Sequence, residues 1–395
     1  MKKIAKLSLV AAVAVVGFTS ANAQSLEEAI KGVETSGSVV YRYNDYNNDN
    51  SSTSKDASDN NYKVALNLAS KVNEDVKFNS RFLVGGADLG FASLDTSTKS
   101  DTNPNVTLSN AYFGYTGLAN TTVNVGKQGL TTPWTVAVDS DGNEQTGTGI
   151  LAMTTVGPVT FAGAYFNQTN LDTSAVDING TPAVSNGTGF DGSTGIATIG
   201  VIGTAGPVTL DAWYLDMDDT FDSYTAGAKS TFDVSGIKLG ADARFASLTT
   251  DAAGSKANTM GKLVLTADAG LVDGKIAYAM TDKDGGLTAL DTDASTTLLG
   301  WNLNALNKAD ADYWQAVLGF DILSNLNLSA NYGNIQYVAS NADMEEEEIY
   351  AQLLYKMSKN FTTYVRYGVY TQDNNTANTT PVDDTAGRLQ VEYAL

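Results

Sequence analysis

Arg388-Leu389-Gln390-Val391-Glu392-Tyr393-Ala394-Leu395 is the stretch whose reading decides the fold. Successive side chains of a strand point to opposite faces. As a strand, these residues put Leu389, Val391, Tyr393 and Leu395 on one face and Arg388, Gln390 and Glu392 on the other. A strand with one apolar and one charged face sits between water and hydrocarbon, or between water and a protein core. The same alternation recurs in blocks of about ten residues, the length of a tilted membrane-spanning strand. In 62–69, Tyr62, Val64, Leu66 and Leu68 oppose Lys63, Ala65, Asn67 and Ala69. In 76–84, Val76, Phe78, Phe82 and Val84 oppose Lys77, Asn79 and Arg81. In 237–245, Ile237, Leu239 and Phe245 oppose Lys238, Asp242 and Arg244, and in 361–370, Val365, Tyr367 and Val369 oppose Tyr364, Arg366 and Tyr370.

The alternation predicts about eighteen strands, with sixteen as the other count, and boundaries good to a few residues. They cover 35–46, 60–72, 75–87, 105–118, 121–130, 147–157, 158–168, 193–204, 206–217, 223–234, 236–249, 258–270, 273–283, 312–323, 325–338, 345–357, 360–371 and 385–395. The connections alternate between tight turns, such as Gly157-Pro158, Gly206-Pro207 and Ser235-Gly236, and long polar stretches. The long ones are 47–59, 88–104, 131–146, 169–192, 250–257, 284–311 and 372–384; two, near 218–222 and 339–344, are short and weaken the pattern. Short periplasmic turns against longer extracellular loops characterise a transmembrane antiparallel β-barrel of the bacterial outer membrane. A soluble β-sandwich has no reason to place its long loops on one side, and would expose large apolar patches here. An arginine or lysine facing lipid at mid-height costs roughly 2–4 kcal/mol. Lys63, Arg81, Arg244 and Arg366 are therefore expected to point into water. Tyr41, Tyr43, Tyr46, Tyr337, Tyr350 and Tyr393 lie near strand ends, where they fit either an interfacial aromatic girdle or plain β-propensity.

Lys2, Lys3 and Lys6, a short apolar run from Leu7 to Phe18, and Ala21-Asn22-Ala23 read as a cleaved secretory signal over 1–23. The barrel domain is then 24–395, opened by a short periplasmic helix over 25–33 that starts at Ser25. That segment holds 21 basic and 44 acidic residues once the three leader lysines are removed. The surplus of acid argues against nucleic acid, whose phosphates require basic surfaces. The chain has no Cys and no His. Disulfides, thiol nucleophiles, His-based triads and the usual zinc sites are excluded, and no enzymatic constellation emerges.

Several spaced motifs carry a resemblance. Leu26-Glu27-Glu28-Ala29-Ile30-Lys31, then Ser36-Gly37 and Tyr41-Arg42-Tyr43, are similar to the mature start of the Campylobacter-type major outer membrane porin family. Val125-Gly126-Lys127-Gln128, Trp134, Asp141-Gly142 and Gly147-Thr148-Gly149 resemble its fifth strand and third loop, and Arg388-Leu389-Gln390 its close. The chain departs from the pattern in ending on Leu395, where such barrels end in Phe, and in its loop composition. The resemblance implies a homotrimer of eighteen-stranded porins that passes ions and small hydrophilic solutes, in some members with calcium in the lumen. It also implies that 131–146 folds inward as a constriction. Trp134 would then pin the loop, and Asp139, Asp141 and Glu144 would face the solute path; the other reading is a solvated extracellular loop.

Across from these acids the wall is expected to carry Arg42, Lys63, Lys77, Arg81, Lys127 and Arg366, so that opposite charges set up a transverse field. Asp139, Asp141 and Glu144 are the candidate calcium ligands, with Asp282, Asp284, Asp291 and Asp293 as further carboxylates. The function expected is general diffusion with weak cation preference. A surface adhesin and a substrate-selective uptake channel on the same barrel are the alternatives. Glu345 to Glu348 read as a solvated rim, or as a divalent bridge to lipopolysaccharide phosphates, since lipid and lipopolysaccharide surround such a barrel.

Overall fold

The computed structural model describes residues 32–48, 56–86, 89–93, 104–171, 192–375 and 382–395. The expected signal segment 1–23 lies outside the described residues, as does nearly all of the expected helix over 25–33. The wall consists of β1 Glu34–Asn48, β2 Asp56–Lys71, β3 Val76–Gly85, β4 Asn105–Tyr115, β5 Thr121–Gly129 and β6 Thr146–Val156. It continues with β7 Val159–Thr169, β8 Ile196–Ala205, β9 Val208–Met217, β10 Phe221–Val234, β11 Ile237–Thr250 and β12 Asn258–Asp268. It ends with β13 Val272–Thr281, β14 Ala309–Leu323, β15 Leu326–Ala339, β16 Ala342–Ser358, β17 Phe361–Asn374 and β18 Val382–Ala394. A two-residue piece, Ala92–Ser93, adds a short pairing onto β2. Each strand pairs antiparallel with its sequence neighbour, and β1 pairs with β18 from Ser38↔Ala394 to Asn48↔Asp384. The sheet therefore closes into an eighteen-stranded barrel, which leaves no free edge to pair with another chain.

The two faces separate by residue type. Val106, Phe113, Ile199, Leu210, Ile276, Leu318, Ile349 and Tyr367 stand exposed on the outside. Arg42, Lys63 and Arg244 are buried on the inside. A soluble protein exposes no apolar belt of this extent, whereas a bilayer requires one. The expected tyrosine girdle is half right. Tyr41 and Tyr393 face outward. Tyr46 lines an interior cavity, Tyr337 contacts the interior Lys308 and Glu346, and Tyr350 the interior Arg366. Position near a strand end does not choose the face; parity does.

The lumen is partly filled. Residues 130–145, between β5 and β6, and 282–308, between β13 and β14, fold inward and pack together. The Leu290 N–H donates to Trp134 O at 2.8 Å, and the Thr296 N–H to Pro133 O at 3.1 Å. Leu130, Trp134, Ala289, Leu290, Ala294 and Leu306 from the two loops form one apolar cluster with Phe166, Ile196, Leu215, Met217, Phe221 and Leu248 of the wall. Leu298, Leu303 and Ala305 pack a second cluster on Tyr313 and Ile335. The stretch 284–311, expected as an extracellular loop, turns inward over its length to Lys308; its leucines, alanines and Trp301 are the apolar signal that water-exposed loops lack.

Candidate functional site: the inward loops and the arginine wall

The polar part of the interior lies over β1–β3 and β16–β18. Its centre is Glu144, at the end of the first inward loop, which is 1% exposed. Its Oε1 accepts from Lys63 Nζ at 2.9 Å and Arg81 Nη2 at 2.8 Å, and its Oε2 from Ser109 Oγ at 2.5 Å. Ser109 reaches it because β4 bulges there: Arg81 pairs with Asn110 and Phe82 with Leu108, so Ser109 is the extra residue. Bulges re-aim side chains in this way. Lys63 Nζ also donates to the carbonyls of Leu89 at 3.0 Å and Gly142 at 2.5 Å. Burial pushes the Glu144 carboxyl up, but Arg81 and Lys63 outweigh burial and hold it below the ordinary carboxylate value.

The loop tip is a tight hairpin over 139–143. Asp139 Oδ1 accepts the Asn143 N–H at 2.8 Å, and its Oδ2 the Asn143 amide at 2.9 Å. Gly142 sits at φ +85°, and a Cβ there would stand 2.3 Å from the Phe91 ring, so both backbone and space demand glycine. The tip aims Asp141 at two arginines. Arg42 Nη1 and Arg388 Nη1 each lie 3.2 Å from Asp141 Oδ1. Arg42 also donates to Gln390 at 2.9 Å and Ser140 O at 2.9 Å, and lies 4.4 Å from the Phe91 ring centre. Arg42, Phe91, Asp141 and Arg388, with Asn44, Tyr46, Asn61 and Asn143, line a cavity of about 290 Å³.

Trp134 is fully buried, and its indole N–H donates to Ser223 Oγ of β10 at 2.7 Å. It joins the loop to the wall, as expected. Arg366 is inward, with Gln352 Oε1 at 2.7 Å and the rings of Trp301, Tyr350 and Tyr364 at 5.0, 5.0 and 5.3 Å. Lys77 is inward near a tight-turn end of the barrel, 3.1 Å from Glu34, away from the loops. Arg244 is inward but ion-paired to Asp211 at 2.8 Å rather than free in water.

Lys127 corrects the expectation that it lines the pore. It shares a face with Val125, pairs with Ala111, and Val125 pairs with the outward Phe113. Its neighbour Gln128 is the inward, buried one. Lys127 therefore lies on the outer face near the top of β5, where its Nζ donates to Leu108 O at 2.9 Å. The cost of an outward lysine falls to about 0–1 kcal/mol at the interface.

The acids expected to hold calcium are not gathered. Glu144 is taken by Lys63 and Arg81, and Asp291 and Asp293 of the second loop approach Asp139 and Asp141 instead. Ser140 N–H donates to Asp293 Oδ2 at 2.7 Å. Burial pushes Asp291 up to about 8, with Asp139, Asp293 and Asp141 adding to it against one hydrogen bond from the Asp293 N–H. Burial likewise pushes Asp139 up to about 6, against the Asn143 hydrogen bonds and with help from Asp141 and Asp293. Among the described residues, no three acids are arranged to hold a metal ion. As arranged among the described residues, these acids do not fit calcium.

Arg388, Trp301, Gln352 and Tyr364 are site residues that the sequence reading did not single out, and Asp291 and Asp293, expected only as further carboxylates, sit beside Asp139 and Asp141. Arg388 was legible, since it sits on the charged face of the last strand. Gln352 and Tyr364 were legible in the same way on the polar faces of β16 and β17, whereas Trp301 depends on the second loop turning inward.

Solved structures share this architecture. Pseudomonas aeruginosa OpdL is 18% identical with a TM-score of 0.73, covering 92% of this chain and 99% of its own. Acinetobacter baumannii OccAB3 is 14% identical with a TM-score of 0.73, covering 92% and 99%. Pseudomonas aeruginosa OccK2 (OpdF), solved in complex with glucuronate, is 15% identical with a TM-score of 0.70, covering 92% and 98%. At such identity the likeness concerns the fold. Comparison with curated protein sequences finds no match. A sequence profile of the Campylobacter major outer membrane protein matches residues 1–395, the whole chain. A barrel with an apolar outside and a charged inside, two loops folded into its lumen, and that match give one conclusion: the chain belongs to the Campylobacter major outer membrane protein family, porins of the bacterial outer membrane.

Proposed function

We propose that this porin is a general diffusion channel for ions and small hydrophilic solutes, with weak cation preference. The observation that carries the reading is the facing of charges across the lumen. Arg42, Arg388, Lys63, Arg81 and Arg366 stand on the wall, and Asp139, Asp141, Glu144 and Asp293 on the loops against it. Opposed rows of charge orient polar solutes and nearly cancel at the throat. The excess of 44 acidic over 24 basic residues in the chain then tips the balance to cations. Reversal potentials across a planar bilayer under a potassium chloride gradient test this: a modest cation preference is expected, and clear anion selectivity contradicts it.

One observation favours substrate-selective uptake as a second reading. Two arginines share a single carboxylate, Asp141, beside the 290 Å³ cavity. That pocket carries net positive charge and suits a solute bearing a carboxylate, the class to which the glucuronate of OccK2 belongs. Saturation of solute flux would favour it over plain diffusion. The homotrimer implied by the resemblance belongs to the proposal too, and native electrophoresis before and after boiling checks it. With the acids arranged as they are, EDTA is expected to leave conductance unchanged. A change reversed by calcium would mean that Asp139, Asp141, Asp291 and Asp293 close round an ion.

A further inference from the structure

Glu345 to Glu348 look alike in sequence, but strand parity splits them. Glu345 and Glu347 face outward, where Glu345 accepts from Asn334 at 2.9 Å and Glu347 from Tyr332 at 2.9 Å. Glu346 and Glu348 face inward and are 5% and 2% exposed. Both inward acids hold the second inward loop. Glu346 takes the loop's last residue, Lys308, at 2.5 Å, and also accepts from Tyr337 at 2.5 Å.

Glu348 does something different. Its Oε1 accepts the Trp301 N–H at 2.9 Å, and its Oε2 the Asn302 N–H at 2.7 Å. Successive backbone N–H groups form a concavity that binds an anion, and here the anion is a side chain of the wall. A Cβ on Gly300 would fall 2.0 Å from Glu348 Oε1 and 2.6 Å from Tyr313 Oη, so the carboxylate occupies the space a larger residue would need. The seat fixes the Trp301 ring. That ring meets Tyr350 edge-on at 5.2 Å, Arg366 at 5.0 Å and Arg388 at 6.0 Å. Arg366 has no carboxylate in ion-pair range among the described residues, so aromatic faces and Gln352 hold its charge in place.

We infer that Glu348 is a positioning residue of the channel: by seating the Trp301 and Asn302 N–H groups it holds the Trp301 ring against Arg366 and Arg388, and so fixes where those two charges stand in the pore. Glu348 touches no solute in this arrangement. Its charge also reaches Arg366 directly, so it is the uncharged Trp301 ring that isolates the positioning effect. The inference rests on the reading of the barrel as a conducting channel.

The test compares wild type, Glu348→Ala, Trp301→Ala and Trp301→Phe in planar bilayers, with the permeability ratio read from reversal potentials. Trp301→Ala removes no charge, so any shift must come through the arginines it releases. A shift toward anions is expected in Glu348→Ala and Trp301→Ala, with Trp301→Phe close to wild type because a ring remains. Folding is read from the faster migration of the unboiled barrel. If Glu348→Ala does not fold, the two Trp301 variants decide. Folded variants that conduct with the wild-type ratio would overturn the inference. Absence of channels in wild type would instead overturn the diffusion reading on which it rests.

Discussion

Glu144 joins the first inward loop to three strands through Lys63, Arg81 and Ser109. Removing one partner of a buried ion pair typically costs about 3–5 kcal/mol, because the other charges stay buried without it. Glu144→Ala should lose stability on that scale in urea titrations and raise open-channel noise as the loop loosens. The aspartates give a pH signature. Asp291 is raised from 3.8 to about 8 in the folded loop. A raised carboxyl makes its contribution in full below the unfolded value, and loses it as pH climbs through the folded one. Loop stability should therefore fall between pH 4 and about 8, seen as more gating events at alkaline pH, and Asp291→Asn should flatten the dependence. At this scale the sequence was legible where parity was applied. Arg42, Lys63, Arg81 and Arg366 stand inside as expected. The same parity puts Lys127 on the outer face with Val123 and Val125, not in the pore where it was expected. The hub role of Glu144 could not be read, since it depends on a bulge at Ser109 and on strands far apart in sequence.

The strands were legible as elements and the loops were not. All eighteen predicted strands exist, with ends moved by a few residues, because a strand between lipid and water declares itself by period alone. A loop declares nothing until its apolar residues are asked what they bury. Trp134 stood out only through the family resemblance; Leu290, Leu298, Trp301 and Leu303, with no such resemblance to point to them, carry the other half of the throat. The two loops behave as one packed body. Trp134→Ala should cost about 3–5 kcal/mol, and Trp134→Phe, which loses chiefly the bond to Ser223, about 1 kcal/mol. Thermal denaturation of the detergent-solubilised barrel separates the two. Equal loss in both would mean that the hydrogen bond, not the packing, holds the loop.

As a whole, the molecule is a closed wall with an apolar outer face, an apolar wedge of loop and wall side chains on one flank of the lumen, and a charged, polar flank opposite. Its most demanding feature is the outer belt. Leu263, outward on β12, should tolerate other apolar residues, while Leu263→Arg should cost about 2–4 kcal/mol in folding from urea into lipid vesicles. The closing strand tests the central claim most directly. The chain has no cysteine, so nitroxide labels can be placed singly at 388 through 393 in the reconstituted barrel. The account predicts that labels at 389, 391 and 393 relax with oxygen dissolved in lipid, and those at 388, 390 and 392 with a water-soluble nickel chelate. Accessibilities without a two-residue period, or with the opposite phase, would contradict it.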